Sequence, residues 1–227
     1  MKAYTKKELS KILEDHKLWL QTDGEKGKRA NLSYANLTYA DLRSADLRYA
    51  DLHHVNLSSA DLRWSDLSHT DLGGADLHYA DLRFVDLSYA DLRSANLYYI
   101  DLRLSNLSCA DLRSTDLRLA DFRLAILHYA DLGHADLRLA DLRHADLNHA
   151  NLDLAALPLS YSGLDVHIDD RQAHQLLYHL VRNVRYSKNT SLEMKKLCRL
   201  HPIVEMANEF HGVTGCGAII DEEGNDE

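Results

Sequence analysis

Carboxylates and guanidinium groups are the reactive side chains that recur most regularly in this sequence. Residues 30–159 hold 19 Asp and 11 Arg, with no Lys or Glu. Paired carboxylates are the usual tools of acid–base catalysis. Here nearly every Asp falls at the same place in a repeat, so a paired-carboxylate argument applies equally everywhere and selects no residue as catalytic. Cys198, His201, His211 and Cys216 are metal-ligand types, but structural zinc usually shows tighter paired spacing such as C-x₂-C. There is no G-x-S-x-G, no Gly-rich phosphate loop and no HExxH. The sequence therefore points away from an enzyme, and no catalytic residue, cofactor or metal site is assigned.

The elements that position those charges follow from one period. From Ala30 to Leu159 the chain runs as 26 five-residue units without insertion or deletion. Leu holds the centre of every unit except one, where Phe122 stands. A small or β-branched residue sits two places earlier. Between them is Asp or Asn, except at Ile126 and Ala156. A period of five suits neither an α-helix, with its 3.6-residue repeat, nor a continuous strand, with its repeat of two. It works if the chain turns after each unit. The small residue and Leu then point inward, and Asp and the residue after Leu point outward. Four units close a coil of twenty residues, and coils stack about 4.8 Å apart as strands do.

A second period supports four sides. Arg43, Arg63, Arg83, Arg103, Arg123 and Arg143 recur every twenty residues, each two places after Asp41, Asp61, Asp81, Asp101, Asp121 and Asp141. These twelve residues form one charged column.

The A-[DN]-L-x-x pattern resembles the pentapeptide-repeat family. The resemblance covers residues 30–159 and implies an all-β solenoid, a right-handed quadrilateral β-helix cored by Leu and the small residue. Twenty-six units then make a rod roughly 31 Å long at strand spacing. Some members of that family bind DNA gyrase by imitating B-form DNA. A role as a DNA-mimicking modulator of gyrase or another DNA-binding enzyme is therefore the alternative reading.

Inside such a coil, Phe122 predicts local bulging. Ser65, Thr70, Ser105 and Thr115 face inward and need backbone partners. With few glycines in the repeat, the turns are expected to use φ below zero or Asp/Asn local bonding. Outside, the last residue of each unit faces solvent. One corner reads Ser44, Trp64, Phe84, Leu104, Leu124, His144, and the preceding one ends in Leu119, Leu139 and Leu159. With Ile126 these predict an outward apolar strip, the candidate interaction surface: Trp64, Phe84, Leu104, Leu119, Leu124, Ile126 and Leu139. A strip, unlike a scattered Leu, calls for a cover, either the C-terminal helices or a second subunit.

The ends differ in kind. Residues 1–29 predict an N-terminal capping helix and linker, with a T-K-K-E capping box at Thr5–Glu8 and Leu9, Ile12, Leu13, His16, Trp19 and Leu20 at helical spacing. Residues 160–227 predict a C-terminal helical segment with an acidic tail. A stacked coil has open ends that need covering. The 227 residues carry a formal net charge of −9 and three cysteines. No apolar run reaches membrane-spanning length, and the Lys-rich start lacks a signal-peptide core. The expectation is a cytoplasmic scaffold that binds a protein partner and forms a homo-oligomer. Direct nucleic-acid binding is not expected, because the outer surface is net acidic, and no membrane partner is expected, because no apolar run is long enough to span one.

Overall fold

The computed structural model describes residues 1–157 and Ile168. The chain divides into two compact units, Met1–His167 and Ile168–Glu227, and residues 1–157 lie in the first. The helices expected beyond residue 170 lie outside the described residues. So do Leu159, Cys198, His201, His211 and Cys216.

Strand β1 is Lys2–Ala3, helix α1 is Lys6–Gln21 and strand β2 is Ala35–Asn36. β1 pairs in parallel with β2, Lys2 opposite Ala35 and Ala3 opposite Asn36. From Asn31 onward, single parallel bridges join the second residue of each unit to its equivalent twenty residues on, from Asn31–Asp51 to Asp136–Ala156. Twenty residues therefore make one turn, and the coil has four sides.

Five backbone amides per unit have to find acceptors, and the unit supplies one for each. In the unit Ala80–Phe84, the Leu82 amide donates to Asp101 O of the next coil (2.8 Å), and the Phe84 amide donates to Arg103 O (3.2 Å). Asp81 N donates back to Ala60 O (3.0 Å), and Ala80 N closes the preceding turn onto Leu77 O (3.0 Å). The remaining amide, Arg83 N, donates to the Asp81 carboxylate (3.3 Å). This explains Asp or Asn at the second position: the side chain caps an amide that no coil can reach. Ile126 cannot do this for the His128 amide.

The core is the Leu shaft. From Leu32 to Leu152 the Leu residues at the unit centre are at most 4 % exposed, and Phe122 is fully buried. Burying each Leu contributes about 1.5–3 kcal/mol. The inward hydroxyls find the partners they need: Ser65, Thr70, Ser105 and Thr115 donate to Leu62, Leu67, Leu102 and Leu112 carbonyls at 2.5–2.6 Å. Ala40 and Ala45 are only half-buried; they belong to the first coil, which has no coil beneath it.

Two expectations need correction. Phe122 does not widen the ladder: Leu102 N–Asp121 O and Phe122 N–Asp141 O are both 2.8 Å, as in neighbouring coils. Nor do the turns avoid positive φ. The last residue of all 25 described units, from Tyr34 to Leu154, has φ between 53° and 63°, and Gly74 is the sole glycine among them. With the fourth residue at negative φ and the amide of the next unit bonded back to Leu O, this is the pattern of a type II turn. A non-glycine residue there costs about 1–2 kcal/mol. The inter-coil bond made by its own amide holds it in place.

Helix α1 starts as the sequence predicts. Thr5 accepts from Glu8 N, and Glu8 accepts from Thr5 N at 2.8 Å, a reciprocal capping box. Of its apolar face, His16 is fully buried, while Leu9, Ile12, Leu13, Trp19 and Leu20 are half-buried. His16 Nδ1 accepts from Ala30 N at 3.1 Å, which ties the helix to the first unit. Burial pushes the His16 pKa down, against the pull of the Arg48 backbone and Asp46.

Candidate interaction surfaces

The charged column is assembled as the spacing predicts. Arg83 Nε and Nη2 grip the two oxygens of Asp81 at 2.9 and 2.7 Å. The same Nε lies 3.5 Å from Asp101 of the next coil. Arg43, Arg63, Arg103 and Arg123 repeat that bridge at 3.5–3.6 Å. Each guanidinium thus sits between two carboxylates and links adjacent coils. The Arg43 side chain holds the Asp41 carboxyl down to about 2. Asp61 and Asp141 are likewise lowered, chiefly by Arg63 and Arg143. The fork geometry is the strong form of such a pair, but the groups are largely solvated, and exposed pairs contribute little each.

Beside this column runs the apolar corner. Trp64 and Phe84 stack with centroids 5.8 Å apart and planes 10° from parallel, and the Arg63 guanidinium lies 5.3 Å from the Trp64 ring. Trp64, Phe84, Leu104 and Leu124 are each about half exposed, at 53, 45, 46 and 53 %. Phe84, Leu104, Leu124 and His144 form one wall of a groove of about 420 Å³. Arg83, Arg103, Arg123 and Arg143 form the other. The groove therefore joins two features that the sequence presents separately. Leu119, Leu139 and Ile126 are exposed but do not line it. They belong to the neighbouring corner and the following side.

A third surface escapes a reading by residue type alone. Tyr49, His69 and Tyr89 stack at 4.8 Å with planes within 10°, and Tyr129 stacks on His149 at 4.7 Å. Cys109 takes the intervening place in this column, and its side chain pushes the Tyr89 pKa up. The signal was present as the same twenty-residue period, read at the last position of a different side.

A four-sided parallel coil with an Asp-capped turn every five residues is a narrow structural description, and the family comparison agrees with it. The model for pentapeptide repeats matches eight copies, over residues 28–63, 56–88, 86–123 and 125–157. The chain belongs to the pentapeptide-repeat family. Its coil is accordingly the right-handed quadrilateral β-helix of that family.

Solved pentapeptide-repeat structures with similar stretches include HetL, involved in heterocyst differentiation regulation in the cyanobacterium Nostoc sp. strain PCC 7120. It is 35 % identical, with 60 % of this chain and 65 % of HetL covered and a TM-score of 0.29. The match thus spans about two-thirds of HetL's length. A protein of the Arabidopsis thaliana thylakoid lumen is 23 % identical over 60 % of this chain and 86 % of its own, with a TM-score of 0.34. QnrB1, a plasmid-mediated fluoroquinolone resistance protein, is 19 % identical over 66 % of this chain and 89 % of its own, with a TM-score of 0.28. No curated protein matches the chain.

Proposed function

We propose that this pentapeptide-repeat protein is a non-catalytic, cytoplasmic interaction scaffold that associates with a second copy of itself through the groove beside Phe84, Leu104 and Leu124. The observation that carries this reading is the run of half-exposed apolar side chains on successive coils. Coil spacing is fixed by the ladder, so a second copy presents the same spacing. Two antiparallel copies related by a two-fold axis near Leu104 put Phe84 of one against Leu124 of the other, a self-complementary interface. In this reading α1 covers the first coil. Leu119, Leu139 and Ile126 extend the surface around the corner.

Light scattering on the full chain tests this. The native protein is expected to run as a dimer at micromolar concentration. The double variant Leu104→Asp/Leu124→Asp is expected to run as a monomer and to melt at a lower temperature, because it loses the stabilisation that association supplies. A native protein that stays monomeric at about 100 μM would remove self-association.

The acidic repeat supports a second reading, a DNA-mimicking modulator of gyrase or another DNA-binding enzyme. Against it, the complete Arg column neutralises one acidic column, and the Asp carboxylates already serve turn amides. A gyrase supercoiling assay separates the two readings; no effect at micromolar protein rejects mimicry.

A further inference from the structure

In the charged column an arginine at the fourth position of a unit serves two carboxylates, its own and the one a coil further on. The same rule can be followed along the side that begins at Asn31. There the fourth residues read Ser33, His53, Gly73, Arg93, Arg113 and Gly133. Arg93 serves Asp91 and Asp111, and Arg113 serves Asp111 and Asp131. Asp51 and Asp71 are served by no arginine. Among the described residues they are the one pair of Asp side chains on adjacent coils in which neither carboxylate touches a guanidinium. Asp66 and Asp86 also carry Ser in their own units, but Asp66 receives Arg48 at 3.6 Å.

The cationic or donor group nearest this pair is an imidazole. His53 Nδ1 lies 2.5 Å from Asp51 Oδ1, and ligand atoms of Asp51, His53 and Asp71 all fall within 4.8 Å of one another. All three residues are half-buried. The Tyr34 ring meets His53 edge-on at 4.9 Å and stacks on His54 at 5.1 Å, which fixes the pair of rings. Above them the coil carries Gly73 and Gly74. A Cβ at Gly74 would run into the His54 ring, and a Cβ at Gly73 would press on the Asp71 carboxylate at 3.2 Å. The coil above thus leaves room for both groups.

We infer that Asp51, His53 and Asp71 form a binding site for a divalent transition-metal cation of the Zn²⁺ class. Two carboxylates and one imidazole are a mixed oxygen–nitrogen donor set. It suits Zn²⁺, Mn²⁺ or Co²⁺ better than Mg²⁺ or Ca²⁺, which prefer oxygen alone, and the site has no thiolate to favour Cu(I). A charge of +2 balances the two carboxylates, and water completes the coordination. Donor atoms held by an ion at about 2.0–2.2 Å lie about 3–3.6 Å apart, inside the spread of this group. The ion supplies the positive charge that arginine supplies elsewhere, and it joins two coils as arginine does.

Calorimetric titration of the full chain with ZnCl₂, with MgCl₂ as control, tests the site. One Zn²⁺ per chain with a rise in melting temperature is expected, and no response to Mg²⁺. His53→Arg is the decisive variant, because it restores the ladder geometry of its neighbours and keeps the fold. It is expected to weaken Zn²⁺ binding by at least about tenfold, as is Asp71→Asn. Absence of a Zn²⁺ response in the native chain, or an equal response in His53→Arg, would overturn the assignment. The first result would leave His53 as a plain substitute for arginine, and the second would place the zinc on other histidines.

Discussion

The side that carries Asp41 to Arg143 and the side that carries Asn31 to Asn151 share one backbone and differ in their charges. On the first, every described coil has the same Asp–Arg fork. On the second, the fourth position passes through Ser, His, Gly, Arg and Asp. The ladder ignores this: Leu52 N–Asp71 O, between units without arginine, and Leu102 N–Asp121 O are both 2.8 Å. Arginine therefore decorates the coil and does not build it. What both sides keep is a large inward apolar residue, Leu everywhere but Phe122, and an oxygen at the second position. The regular side is fully satisfied, and the irregular side is where carboxylates remain available to something else.

If the shaft builds the coil, truncating it should cost the same on either side. Leu52→Ala, in a unit without arginine, and Leu102→Ala are each expected to lose about 2–5 kcal/mol, read as equal drops in the urea midpoint. A loss confined to the Arg side would break the comparison. The next largest effect concerns the turn amide. Asp101→Ala strips the acceptor from Arg103 N (3.2 Å) and should lose about 1–2 kcal/mol. Asp101→Asn keeps that oxygen, as Asn31 and Asn36 do natively, and should lose much less. Equal losses would mean that the charge, not the capped amide, is what matters.

Acid should distinguish the sides more gently. The folded Asp41 carboxyl is held to about 2, below its unfolded value of about 3.9. Its contribution is therefore full above about pH 4 and falls as pH drops toward 2. Melting curves of the native chain and Asp41→Asn should differ at pH 6 and converge at pH 2. The gap at pH 6 should shrink in 1 M NaCl, because the pair is solvent-exposed. A gap independent of pH would assign the effect to geometry and not to the ion pair.

Much of this was legible because a strict period leaves few foldings. Leu at every fifth place gave the shaft, and Arg at every twentieth gave four sides. Asp as a local acceptor was one of two expectations for the turns. The other, φ below zero, failed because residues such as Tyr34, Trp64 and Leu104 carry no local mark of the left-handed region. That conformation is imposed by the inter-coil bond, a contact twenty residues away. The groove was half legible. The apolar corner could be read from spacing, but whether Leu119 and Ile126 join it depends on corner geometry. The Asp51–His53–Asp71 group escaped notice because it is defined by what neighbouring coils lack. The burial of His16 depends on how α1 packs, which helical periodicity does not specify.

The smallest expected effect tests that imposed conformation. Ser44 ends a unit on the regular side and Ser94 on the irregular side, with φ of 55° and 56°. Replacing either by Gly removes a left-handed penalty of about 1–2 kcal/mol. It also raises the entropy of the unfolded chain, by about 0.5–1 kcal/mol. The net change should be a gain of no more than about 1 kcal/mol, and the same on both sides. Val at these positions should lose stability, because a β-branched residue at positive φ is strongly disfavoured. Paired melting measurements on Ser44→Gly, Ser94→Gly and the two Val variants decide it. If Val were tolerated at residue 94 but not at residue 44, the irregular side would have a looser turn. The two sides would then differ in backbone as well as in charge.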